Sequence, residues 1–330
     1  MFLQILVYHF LFSALTTHPP VAFELGLQRS QPVTAAGFDG MELIEGYDDY
    51  TGQAYSHSLP LVEDTGVGPM RIDSNSLGLL TSAESILVVD RRTKKVLYEQ
   101  GSTQQRSIAS ITKMMTALVL QDQDLNFNQV VTISPADKID GGRIWVYSGE
   151  EFLVQDLWMA GLVASDNVAI RALVRHTGLS YEEFAAAMNQ KAKNLGMDDS
   201  IFIEPTGIHS GNKSTAHDLM LLFDEAFNNV QIADAVRRPV YTFSPLNKES
   251  LRTIENTNKL LSSYLNKEPY HLVGGKTGFT YEAGYCLGVI ADGNENNDEI
   301  IAVVLGSDTI QSRFQEIKGI VDWVYRNFRW

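Results

Sequence analysis

The stretch Arg106-Ser107-Ile108-Ala109-Ser110-Ile111-Thr112-Lys113-Met114-Met115-Thr116-Ala117-Leu118-Val119-Leu120 decides how this chain is read. From Thr112 onward it is apolar and free of Gly and Pro, which predicts a buried helix. Ser107 or Ser110 can cap that helix, each offering an oxygen to the first-turn N–H groups. Ser110 and Lys113 stand three apart and so share a helix face. Serine is a weak nucleophile without a base beside it. A lysine taken out of water can lose its proton and be that base. The helix N-terminus also favours negative charge developing beside Ser110. Against this, a Ser-x-x-Lys pair arises by chance roughly once in a chain this long. A second pair, Ser210-Gly211-Asn212-Lys213, lies in a turn-rich segment with no helix to fix it and reads as structural.

Outward from this stretch, residues 84–89 and 95–99 flank the turn Asp90-Arg91-Arg92-Thr93 and predict a hairpin. Helices are predicted over 156–164, 167–176, 181–195 and 215–227, with Ser180 capping the third and Gly196 ending it. Strand patterns return at 271–276, 284–291 and 299–306, and a long helix closes the chain over 310–328. The order is strands, a helical block, strands and a helix. It predicts an α/β (α+β) fold: an antiparallel sheet flanked by helices, its strands drawn from both ends of the domain. A mostly helical subdomain is inserted at about 105–235.

The chain of 330 residues is 44% hydrophobic, enough for a large core. With 26 basic and 40 acidic residues its net charge is −14, and no basic stripe suggests nucleic acid as a partner. A single cysteine, Cys286, excludes an internal disulfide. No HExxH, CxxC or spaced His pair points to a metal, and no cofactor is implied. Residues 1–15 are mostly apolar but too short for a comfortable membrane span of ~20 residues. Segment 1–16 reads as an export signal or anchor, although it lacks a basic start and a clear cleavage site. A mis-chosen start codon or a packed N-terminal segment are the alternatives. Segment 17–81 has no Lys or Arg between Ser30 and Met70 and reads as a mainly unstructured, acidic spacer. The folded catalytic domain is then expected over 82–330.

Two further motifs turn the Ser110 pair into a site. Ser165-Asp166-Asn167 lies between two apolar helical runs. Ser165 offers a hydroxyl for proton relay, and Asn167 an amide that can hold a substrate carbonyl or Lys113. Alone it would be a helix cap. Lys276-Thr277-Gly278 sits inside Gly274-Gly275-Lys276-Thr277-Gly278-Phe279-Thr280. Lys276 and Thr277 can bind a carboxylate, and glycines let a substrate backbone lie along the strand. Lys276 would also hold down the pKa of Lys113 by repulsion. Ser165 follows Ser110 by 55 residues and Lys276 follows it by 166. S-x-x-K, S-D-N and K-T-G in this order are the shared signature of class A β-lactamases and penicillin-binding proteins.

The run from Ile108 to Thr116 resembles the active-site run of the D-alanyl-D-alanine carboxypeptidase family, low-molecular-mass penicillin-binding proteins acting on peptidoglycan stem peptides. Phe202-Ile203-Glu204-Pro205-Thr206-Gly207-Ile208 and Ser214-Thr215-Ala216-His217-Asp218-Leu219 are similar to another run of that family. The resemblance covers roughly 82–328 and implies a β-lactamase/transpeptidase-like fold without cofactor. It implies β-lactam antibiotics as covalent inhibitors, and a place outside the cytoplasm, on the periplasmic or cell-wall face. By resemblance, Ser110, Lys113, Ser165 and Asn167 are catalytic. Lys276, Thr277, Gly278 and Phe279 bind substrate, and the N–H groups of Ser110 and Phe279 form the oxyanion hole. Val168 after Asn167, Phe279 after the Lys-Thr-Gly, Glu204-Pro205-Thr206-Gly207 and Asn256-Thr257-Asn258 lean towards the endopeptidase branch, which cuts cross-links. The chain ends at Trp330 without the C-terminal β domain and anchor of many carboxypeptidases, so membrane attachment is expected at the N-terminus. Arg313 reads as a surface charge rather than a carboxylate ligand. Two alternatives stand beside the peptidase. One is a class A-like β-lactamase with Glu204, 39 residues after Ser165, as its water base. The other is a non-catalytic cell-wall-binding protein on the same fold.

Overall fold

The computed structural model describes the backbone of 43–47 and 54–58, and residues 68–72, 76, 78–293 and 298–330. Five strands form its central sheet: β1 (Ser85–Asp90), β2 (Val96–Gln100), β3 (His271–Thr280), β4 (Gly284–Asp292) and β5 (Ile300–Ser307). All neighbours are antiparallel, in the order β3-β4-β5-β1-β2. Hence the N-terminal hairpin joins the C-terminal strands through β5 and β1, with Val304 opposite Ile86 and Ile300 opposite Asp90. Side chains of a strand alternate between faces. Here Leu87, Val89, Ile301 and Val303 join one apolar cluster, shared with the helical block. Ile86, Val88, Ala302 and Val304 join a second, with Ile317, Ile320 and Val321 of the closing helix. Both faces are covered, so β1 and β5 are buried end to end.

Seven helices are described: α1 (Thr112–Gln121), α2 (Val154–Val163), α3 (Asn167–His176), α4 (Tyr181–Asn194), α5 (Ala216–Asn228), α6 (Val230–Arg237) and α7 (Ile310–Asn327). Ser180 caps α4 in a reciprocal capping box with Glu183, and Gly196 ends it at φ +75°. The inserted block includes α6 and runs past 235, because Val240–Phe243 pairs with Arg252–Glu255. Another short pair, Val130–Thr132 with Glu151–Leu153, interrupts it. These strands of three or four residues are too brief for a periodic signal.

Two expectations need correcting. Neither Ser107 nor Ser110 caps α1. A 3-10 turn, Ala109–Ile111, leads into the helix, and neither N-cap position makes a side-chain cap bond. The Ser107 hydroxyl is buried without a partner, and the Ser110 hydroxyl is engaged by Lys113. The fold also begins before residue 82. Met70–Arg71 pairs with Phe328–Arg329, Ser76 Oγ accepts a bond from Trp323 Nε1 at 2.9 Å, and Leu79 packs on the second apolar cluster. Earlier still, Leu43–Tyr47 pairs antiparallel with Ala54–Ser58 inside the expected spacer. Segment 1–16 lies outside the described residues. No described helix is long and apolar enough to cross a membrane.

Candidate active site

β3 is an edge of the sheet, and the helical block stands against it. A cleft of about 360 Å³ opens between them, lined by Ser110, Ser165, Asn167, Thr277, Gly278 and Phe279 among others. Ser110 reaches it from the 3-10 turn. The residue before it, Ala109, is held at φ +47°, a left-handed conformation that L-residues avoid at a cost of about 1–3 kcal/mol. Gly207 packs directly on Ala109, and Gly278 of β3 lies against Ala109 and the Ser110 nitrogen. Ser110 is thus clamped between a loop and a strand far away in sequence.

One helical turn further, Lys113 is fully buried. Its Nζ lies 3.0 Å from Ser110 Oγ and donates to Asn167 Oδ1 and to the Thr206 carbonyl, both at 2.6 Å. A neutral amine has two N–H bonds and one lone pair. With two pure acceptors taking the N–H bonds, the lone pair is left facing the serine hydroxyl. Burial holds the Lys113 ammonium down to about 8, against the pull of Glu204 and Asp166.

Ser165 is also left-handed, at φ +63°. Asp166 holds this strained turn. Its Oδ1 caps α3 through Val168 N–H and Ala169 N–H at 2.8 and 3.0 Å, and its Oδ2 accepts Trp145 N–H at 2.5 Å. Asn167 Nδ2 donates to the Gly141 carbonyl at 3.2 Å. Of the two roles open to Asn167, its oxygen takes that of holding Lys113.

Lys276 donates to Ser165 Oγ at 2.9 Å, and Thr277 Oγ1 donates to Thr257 Oγ1 at 2.6 Å. Burial pushes Lys276 well below its ordinary value, with Lys113 and Arg313 adding repulsion. The expectation that Lys276 holds Lys113 down is corrected accordingly: burial dominates at Lys113, and repulsion weighs on Lys276, which faces two cations. Phe279 is 42% exposed and stacks on Tyr285 with ring centroids 4.2 Å apart.

Arg313 is not a surface charge. It is 5% exposed, donates to the Gly278 carbonyl at 2.9 Å, and lies against the Tyr285 and Phe314 rings. Burial lowers it to about 10. Glu204 does not line the cleft. Its carboxylate accepts Thr206 N–H, Thr206 Oγ1–H and Gly207 N–H at 2.6–2.7 Å, stapling the loop that presents the Thr206 carbonyl to Lys113. Sequence reasoning missed Thr206 and Thr257 as site residues, since one acts through its backbone and the other through a partner in a different element.

A profile of peptidase family S11, described as D-alanyl-D-alanine carboxypeptidase, matches residues 74–309. A D-alanyl-D-alanine endopeptidase of Escherichia coli (strain K12) is 32% identical over 244 residues, spanning 73% of this chain and 76% of that protein. A D-alanyl-D-alanine carboxypeptidase of Bacillus subtilis (strain 168) is 30% identical over 76% of this chain and 64% of its own length. Among solved structures, the Streptomyces K15 DD-transpeptidase superposes with a TM-score of 0.70 at 28% identity, covering 76% of this chain and all of that one.

Proposed function

This chain belongs to the D-alanyl-D-alanine carboxypeptidase family and is a serine D-Ala-D-Ala peptidase, and from that premise we propose that Ser110 forms the acyl-enzyme. The observation that carries the reading is the 3.0 Å approach of Lys113 Nζ to Ser110 Oγ, with the other lysine bonds already taken. Lys113 accepts the Ser110 proton as Oγ attacks the carbonyl that follows a D-alanine. The backbone N–H groups of Ser110 and Phe279 receive the oxyanion, where one such donor is worth a factor of ~10²–10³. The C–N bond breaks, and Ser165 relays to the leaving amine the proton that Lys113 took from Ser110, which leaves Lys113 neutral again. Water then attacks the ester and frees Ser110.

Lys276 and Thr277 hold the carboxylate of the leaving residue. That anion draws a proton onto Lys276, while burial is what disfavours the ammonium form of Lys113. Within the family we place the chain on the endopeptidase branch, supported by Glu204-Pro205-Thr206-Gly207 and by the similarity to an endopeptidase. The substrate is then a cross-linked peptidoglycan peptide outside the cytoplasm, with β-lactams as covalent inhibitors. Residues 1–16 serve export or attachment. The β-lactamase alternative loses its base, because Glu204 does not line the cleft and its carboxylate is spent on the N–H groups of Thr206 and Gly207.

The test is incubation of the full chain with a fluorescent penicillin, with the product weighed beside Ser110→Ala. A stable adduct on Ser110, absent from the variant, is expected. A folded protein without an adduct would remove the enzymatic reading, and rapid penicillin turnover would restore the β-lactamase. Cross-linked dimer and linear pentapeptide, offered together, then separate endopeptidase from carboxypeptidase.

A further inference from the structure

The Thr277–Thr257 hydrogen bond marks the leaving-group end of the cleft, because Thr277 belongs to the carboxylate-binding pair. Two cations that the reaction above leaves unused line the cleft with Thr257. Lys259 follows Thr257 by two residues, and Arg143 stands on the loop held by Asn167 Nδ2 at Gly141 and by Asp166 at Trp145. The two approach each other through Glu255. Lys259 Nζ bonds its Oε2 at 2.6 Å, and both Lys259 and Arg143 lower its carboxyl. Arg143 makes no hydrogen bond or ion pair of its own among the described residues. One carboxylate against two cations leaves a positive charge exposed at the mouth, in a chain whose net charge is −14.

Resting on the peptidase reading, we propose that Arg143, with Lys259, forms a second anion subsite that takes a carboxylate on the leaving peptide, beyond the one held at Lys276 and Thr277. A guanidinium with free donors suits a carboxylate, which it can grip through two parallel bonds. A leaving group of one D-alanine carries a single carboxylate and cannot fill this subsite. A leaving peptide strand with a second acidic group can. The subsite would therefore favour cross-linked substrates over terminal D-alanine.

The experiment uses the full chain and two synthetic acyl-D-Ala substrates that differ only in the leaving residue. One releases D-2-aminopimelic acid, and the other its ω-amide, which lacks the second charge. The native chain is expected to favour the acid about fivefold in kcat/KM, the upper range for an exposed ion pair. Arg143→Ala brings that ratio close to one, Arg143→Glu inverts it, and Arg143→Lys keeps part of it. A structural loosening would slow both substrates alike and leave the ratio intact. A native ratio near one, or a ratio that survives Arg143→Ala, would overturn the subsite while leaving the peptidase reading in place. Cleavage of neither substrate, with no penicillin adduct, would remove both.

Discussion

A β-carbon on Gly207 would lie 2.0 Å from the carbonyl oxygen of Ala109. No real Cβ tolerates that distance, and the obstacle is backbone that cannot swing aside. Gly207→Ala must therefore displace either the Thr206–Gly207 loop or the turn that carries Ser110. Gly149 has almost the same φ, +82° against +83°, but nothing within 4 Å of its Cβ position. Gly149→Ala is expected to cost only the left-handed conformation, about 1–2 kcal/mol. Gly207→Ala is expected to lose a factor of at least ~10² in penicillin acylation as the Lys113 acceptor and the nucleophile move apart. Thermal melts and acylation rates of the pair, side by side, check this; equal behaviour would refute the clamp.

Removing the base while keeping the serine separates their roles. Lys113→Ala is expected to lower the second-order acylation rate by ~10²–10⁴, the usual worth of a positioned proton acceptor. Its Asn167 and Thr206 acceptors face a void in that variant, so folding must be verified by circular dichroism. A folded variant that still acylates within tenfold of the native rate would exclude Lys113 as base.

The pH dependence follows from the sign at Lys113. Burial lowers its pKa to about 8, and only the neutral amine can accept a proton. Acylation by the free enzyme should rise about tenfold per pH unit below that value and level off above it. Glu204 works against burial by favouring the ammonium. Glu204→Gln removes that anion, so the midpoint should move to lower pH, even if the loosened loop reduces the plateau. A midpoint that stays or moves upward would contradict the assignment.

Arg252 ties the cleft wall to the fold. It donates to both oxygens of Glu150, which is 2% exposed, at 2.6 and 2.7 Å, and to the Trp145 carbonyl at 2.5 Å. Arg252→Ala leaves a buried carboxylate without its guanidinium, holding only the Tyr147 N–H at 2.9 Å and Lys248 at 3.4 Å. A loss of about 3–5 kcal/mol is expected by denaturant unfolding. Acylation should fall as well, because Trp145 also anchors the loop to Asp166. A change below about 1 kcal/mol would show that the Tyr147 N–H, Lys248 and water suffice.

The five sheet strands and six of the seven helices were legible, because each repeats an apolar pattern over enough residues to register. Ser110, Lys113, Ser165 and Lys276 could be singled out from motif order alone, and the structure brings the two serines to one cleft with a buried lysine bonded to each. The helix α6, which follows α5 after a single residue, and the short pairs around Val130 and Val240 carry too little periodicity to be seen. Tertiary structure alone decided the environment of each group. It buried Arg313 against Gly278 and assigned the Asn167 oxygen to Lys113. It also brought the Thr206 carbonyl, 93 residues away in sequence, to the same amine. The division has a physical origin. Helices, strands and motifs are written in neighbours along the chain, whereas the proton affinity of a lysine depends on how much water and which charges the folded chain leaves around it.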